Sequence, residues 1–95
     1  MQNAPTCSPL LAPALPPIDG DRLWRRLEDL AQFTRADMPW TRRAFSAEYQ
    51  AARAWLRGAF EAAGLQVRLD AAGNLIGRRP GLRDDLKPLA TGSHT

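Results

Sequence analysis

Between Asp21 and Phe33, apolar side chains fall at Leu23, Trp24, Leu27, Leu30 and Ala31, while Arg22, Arg25, Arg26, Glu28 and Asp29 occupy the positions between them. Spacings of i, i+1, i+4, i+7 and i+8 gather the first set on one face of a helical repeat, so an amphipathic helix is predicted. Asp19 is placed to cap its N-terminus, and Asp21 adds a negative charge in the first turn, where the helix dipole favours one. From Thr34 to Phe45 the period is lost and Pro39 interrupts, which reads as a loop. Its Met38, Trp40 and Phe45 are apolar enough to predict that it folds back on the core or lines a cleft. Ser46 then caps a second helix, whose stripe is Tyr49, Ala52, Leu56, Ala59, Phe60 and Ala63, and Gly64 ends it in a left-handed cap.

After Gly64 the period changes. Leu65, Val67 and Leu69 alternate with Gln66 and Arg68 as in a half-buried strand, Asp70-Ala71-Ala72-Gly73 turns the chain, and Asn74 to Arg79 returns as a second strand until Pro80-Gly81 stops it. Beyond the polar stretch Arg83-Asp84-Asp85, Lys87 to Thr91 is predicted as a third strand delivering Gly92-Ser93-His94 at its tip. The order helix, loop, helix, hairpin, strand points to α/β or α+β architecture. Three strands with two helices leave sheet edges unpaired and Trp24, Trp40 and Trp55 only partly covered, as expected for the opening of a larger domain. Trp24, Trp55 and Phe60 are expected in the core.

The first eighteen residues carry no charged side chain and five of the eight prolines. Residues 1–18 are therefore expected to remain a disordered tail, leaving 19–95 as the folding unit. The tail lacks the basic start of a secretory signal, and Pro13 breaks its one apolar run, so a cytoplasmic, non-membrane protein is expected. A single cysteine, Cys7, excludes an internal disulfide or a cysteine metal cluster. Lysine plus arginine number 13 against 10 acidic residues, a net charge of +3. The arginine pairs at 25–26, 42–43 and 78–79 lie on different elements and are interleaved with acids, which reads as a solvated surface and not a nucleic-acid face.

The only histidine, His94, follows three small residues after the apolar Pro88-Leu89-Ala90. An imidazole at a strand tip is a way to present a metal ligand, but a lone histidine near a terminus is more often a surface residue, and on the spacing alone that reading is favoured. Asp70 and Asn74 flank the hairpin turn, where such side chains cap backbone amides, and are read as structural. Arg42 or Arg43 could meet a substrate carboxylate, though a surface or interdomain salt bridge is favoured. Ser93 has no base in reach and is not read as a nucleophile.

From Asp19 onward the chain resembles the N-terminal segment of the hydantoinase/carbamoylase family of amidases, which includes N-carbamoyl-L-amino-acid hydrolases, allantoate amidohydrolases and β-ureidopropionases. The resemblance is carried by Asp19-Gly20-Asp21-Arg22-Leu23-Trp24, Thr41-Arg42-Arg43-Ala44-Phe45-Ser46, Ala62-Ala63-Gly64-Leu65, Asp70 to Arg78 and Thr91-Gly92-Ser93-His94, in that order and spacing. It implies an α/β fold, the opening part of an aminoacylase/carboxypeptidase-like two-metal catalytic domain, with a smaller inserted domain that dimerises. It implies two divalent metal ions per subunit (zinc, manganese, cobalt or nickel), a small ureido or amide substrate, and a homodimer. His94 matches the first metal ligand. The metal-bridging aspartate would follow at position 96, and the paired glutamates, further ligands and substrate-binding residues would also lie beyond Thr95. The implied reaction is metal-assisted hydrolysis of a C–N bond other than a peptide bond, with a glutamate moving the proton. With one ligand and no general base, the 95-residue chain is expected to be inactive by itself. A truncated, non-catalytic or partner-binding product remains the alternative.

Overall fold

A computed structural model of the protein describes residues 15–95. Two helices, α1 (Gly20–Ala31) and α2 (Ala47–Ala62), precede a hairpin of β1 (Gln66–Leu69) and β2 (Leu75–Arg78). The strands pair antiparallel in the register Gln66 to Arg78, Val67 to Gly77, Arg68 to Ile76 and Leu69 to Leu75. Of the tail expected over residues 1–18, residues 1–14, with Cys7, lie outside the described part; residues 15–18 are exposed and carry no helix or strand.

Each element ends where local chemistry ends it. The Asp19 carboxylate accepts from the Arg22 N–H at 3.0 Å, opening α1. The Ser46 hydroxyl accepts from the Tyr49 N–H at 3.2 Å, opening α2. At the end of α2, Gly64 takes a φ of 85°. Its N–H donates to the Glu61 carbonyl at 2.9 Å, and the Leu65 N–H reaches back to the Phe60 carbonyl at 3.0 Å. This doubly bonded left-handed cap brings Leu65 over Phe60 and turns the chain directly into β1.

Alternation along the hairpin puts Leu65, Val67 and Leu69 on the same face as Leu75 and Gly77, and that face meets α2. Gly77 is the point of closest approach. A Cβ built there would stand 2.7 Å from Phe60 Cδ2 and 2.8 Å from Leu65 Cδ1, so only a hydrogen fits between the sheet and the aromatic ring.

The third strand expected over Lys87 to Thr91 does not form: residues 88–95 have no regular structure and are exposed. A strand is held by its neighbour's hydrogen bonds, and among the described residues no partner segment lies along either hairpin edge. Trp24 departs from its expected core place as well. It is 63% exposed, and Leu23 and Leu27 beside it on α1 are 55% and 52% exposed. The predicted helix and its apolar face are present, but nothing among the described residues covers that face.

Among the described residues, Ala52 alone is fully buried. The radius of gyration is 18.4 Å, against about 12 Å for a compact chain of similar length. No described helix is long and apolar enough to cross a membrane.

Candidate functional site

The loop between the helices is held more firmly than its lack of period suggested. The Thr41 N–H donates to the Thr34 hydroxyl at 2.8 Å, that hydroxyl lies 3.1 Å from the Thr41 carbonyl, and the Arg35 N–H donates to the same carbonyl at 2.9 Å. These bonds close residues 34–41 into a ring. Arg35 and Asp37 pair across it through two hydrogen bonds, at 2.9 and 2.7 Å.

Arg42 neither meets a cleft carboxylate nor forms a salt bridge among the described residues. Its Nη1 donates to the carbonyls of Leu30 and Phe33, both at 2.9 Å, at the C-terminal end of α1. A helix ends with carbonyls that lack intrahelical partners and carry partial negative charge, and a guanidinium meets both needs. Arg42 Nε is buried with no hydrogen-bond partner. Arg43 is exposed.

Trp40 and Phe45 adopt φ values of 60° and 63°, in the left-handed region that bulky residues rarely enter. Both remain largely exposed, at 88% and 66%, and Met38 is 47% exposed, so of the two places expected for these side chains, the core or the wall of a cleft, the first is not where they lie. Phe45 lies edge-on to Tyr49, with ring centroids 5.6 Å apart. Phe33 reaches Trp55 of α2 at 6.2 Å. Trp40 lines a half-open cavity of about 270 Å³ together with Ala31, Phe33, Thr34, Thr41, Arg42 and Thr95.

The hairpin turn is built around Asp70, as its place in the sequence predicted. One carboxylate oxygen accepts from the backbone N–H groups of Ala72 at 3.0 Å and Asn74 at 2.8 Å, and the other accepts from the Asn74 side-chain amide at 2.8 Å. The Asn74 side chain, then its backbone N–H, then that of Ala72 hold the Asp70 carboxyl below its ordinary range, and Arg68 adds to this. Gly73 completes the turn at φ 89°. Its carbonyl accepts from the Tyr49 hydroxyl at 3.3 Å, while the Arg53 guanidinium lies 5.2 Å from the Tyr49 ring centre. Asp70, Asn74 and Gly73 thus act together on the backbone of the turn.

His94 is exposed. Its backbone carbonyl accepts from the Ser93 hydroxyl at 3.3 Å. Among the described residues no group of three or more His, Cys, Asp or Glu side chains comes together, so His94 belongs to no such ligand cluster there. One donor does not make a site for a divalent ion, and no hydrolytic step is derived through a metal from these residues. Sequence reasoning singled out His94, the turn and Trp40 as a residue that could line a cleft, and missed the bonds of Thr34 and the left-handed backbone at Trp40. Threonines spaced seven apart in an aperiodic loop carry no pattern that announces a ring, and a left-handed φ at tryptophan has no signature in the sequence.

Comparison with known proteins gives this arrangement its kin. Over 74 residues, 78% of its length, the chain is 40% identical to the N-carbamoyl-L-amino-acid amidohydrolase of Paenarthrobacter aurescens. Over 78 residues it is 41% identical to the N-carbamoyl-L-amino acid amidohydrolase of Geobacillus stearothermophilus and 38% identical to the ureidoglycolate hydrolase of Oryza sativa subsp. japonica. By sequence, this chain is a relative of N-carbamoyl-L-amino acid amidohydrolases and ureidoglycolate hydrolases. It spans 16 to 19% of the length of these relatives. No protein-family model matches the chain, and no solved structure gives a significant match.

Proposed function

We propose that this chain supplies the opening segment of a hydrolase that cleaves C–N bonds other than peptide bonds in N-carbamoyl amino acids or related ureido and amide compounds. The observation that carries the proposal is 36 to 41% identity, over about four fifths of the chain, with proteins named for those substrates. On this reading the helices and hairpin are the start of an aminoacylase-like two-metal catalytic domain. His94 is one donor to a pair of divalent ions, zinc, manganese, cobalt or nickel, whose remaining donors come from outside the described residues. The working unit is a cytoplasmic homodimer acting on a small-molecule substrate. The described residues position and support; they contribute no base, no bridging carboxylate and no substrate pocket of their own, so the 95-residue chain is inactive by itself. The uncovered apolar face of α1 favours, as a second reading, a non-catalytic module that takes a partner.

The test uses the native protein, captured from its source cells with an antibody to residues 19–81 and supplied with an N-carbamoyl amino acid. The expected result is release of the free amino acid, and its loss when the gene encodes His94→Ala. Undiminished release by the His94→Ala protein would remove the histidine from the reading. No release from carbamoyl amino acids, ureidoglycolate or simple amides would overturn the hydrolase assignment and leave the binding module.

A further inference from the structure

Asp19 opens α1 and is followed by Gly20, the one Asp-Gly pair in the chain; the other six aspartates precede arginine, leucine, methionine, alanine or aspartate. An aspartate can close a five-membered ring when the amide nitrogen of the next residue reaches its side-chain carboxyl carbon. A side chain on that next residue crowds the nitrogen, and glycine has none. Both Asp19 and Gly20 are exposed, and a Cβ built at Gly20 meets nothing within 4 Å.

In the capped helix the two reacting atoms are kept apart. The Asp19 carboxylate accepts from the Arg22 N–H at 3.0 Å, and its carbonyl accepts from the Leu23 N–H at 3.1 Å. A ψ of 95° turns the Gly20 nitrogen away from the Asp19 Cβ, whereas ring closure needs both on one side of the Cα–C bond. The first turn of α1 must therefore open before the ring can close. Little resists that opening: Leu23, Trp24 and Leu27 are all more than half exposed, and a helix of twelve residues is marginal without cover. Asp70 is the contrast, with three hydrogen bonds on its carboxylate and Ala71 as the next residue.

We propose that Asp19-Gly20 is a self-modification site, where this chain isomerises to isoaspartate, and that opening of the first turn of α1 is its gate. The Gly20 nitrogen bonds to Cγ of the carboxylic acid form of Asp19 as the Cγ–OH bond breaks; the hydroxyl and the amide hydrogen leave as water. Water then adds to the resulting succinimide. Where it breaks the bond from the nitrogen to the original main-chain carbonyl carbon, the chain runs on through Cβ and Cγ and the α-carboxylate is freed. One water leaves and one returns, so no other reagent is needed and the mass is unchanged. The main chain gains a methylene at the N-cap, which moves Asp19 out of register with the Arg22 and Leu23 N–H groups and removes the helix start.

The experiment holds the purified 95-residue chain in warm neutral buffer and follows its tryptic peptides with time. Arg22 is the first basic residue, so Asp19 travels in the peptide of residues 1–22. The expected result is a second form of that peptide with the same mass and a different retention time, preceded by a form lighter by one water, with fragmentation placing the change at residue 19. The peptide carrying Asp70 stays single. Gly20→Ala suppresses the conversion, and Asp19→Ser, which keeps a capping hydroxyl, abolishes it. Urea, which opens α1, speeds it, and the isolated isomerised chain exchanges the amide hydrogens of α1 faster than the unaltered chain while α2 is unmoved. Absence of the equal-mass form in the unaltered chain would overturn the inference, as would conversion at Asp70 as fast as at Asp19 or an undiminished rate in Gly20→Ala. A rate that urea leaves unchanged would overturn the gate.

Discussion

Gly77 shows how much of this unit depends on one hydrogen atom. It lies opposite Val67 on the face that meets α2, with Phe60 and Leu65 closer than any Cβ tolerates. The Phe60 main chain is held in the cap at Gly64, where its carbonyl accepts from the Leu65 N–H, so the backbone that carries the ring is fixed. Gly77→Ala is expected to destabilise the fold by about 1 to 3 kcal/mol, the usual range for overpacking, seen as a lower urea midpoint by circular dichroism. Asp70 sets a different dependence. Its carboxyl titrates below 3.8, the ordinary value, because the ionised form accepts three hydrogen bonds. A depressed carboxyl contributes stability that is fully present above the unfolded value and is lost as pH falls through the folded one. The turn is therefore expected to loosen only below about pH 4, read from the Asn74 amide signals. In Asp70→Asn that acid-dependent movement should vanish.

At the level of elements, the two helices differ in what holds them. Against the hairpin, α2 lays its Phe60 end, and through Trp55 it meets Phe33. By contrast, α1 shows most of Leu23, Trp24 and Leu27 to solvent and is tied down mainly at its C-terminal end by Arg42. An isolated helix of its length is marginal in water. Amide hydrogen exchange is expected to be faster throughout the middle of α1 than in α2, and equal protection would show that α1 is held by contacts other than these. Periodicity made both helices legible, and Asp19, Ser46 and Gly64 marked their ends because capping is a local matter between a side chain and nearby amides. The Asp70 to Asn74 turn was legible for the same reason. The third strand was not, because Lys87 to Thr91 has the composition of a strand while strand formation depends on a neighbour that sequence pattern does not supply. For Trp24 the partial cover expected was right and the core place was not: an apolar stripe tells which side of a helix needs covering, and not whether anything covers it. Of the candidate site, His94 was singled out through small residues and resemblance, while the loop ring and the hold of Arg42 on the end of α1 were invisible because their bonds join residues with no common period.

On the scale of the molecule, a single buried residue among those described and a radius of gyration of 18.4 Å mark a helix-and-hairpin unit with little interior of its own. A core this small leaves little stability after chain entropy is subtracted. The chain's relatedness to amidohydrolases and its lone imidazole fit together if catalysis requires groups beyond the described residues. The most direct measurement is turnover by the purified 95-residue chain, supplied with an N-carbamoyl amino acid and with zinc, manganese, cobalt or nickel in turn, beside a His94→Ala control. The account predicts the same background rate from both proteins with every metal. Turnover above background that disappears in the His94→Ala chain would contradict it, and would mean that these residues assemble a complete active site among themselves.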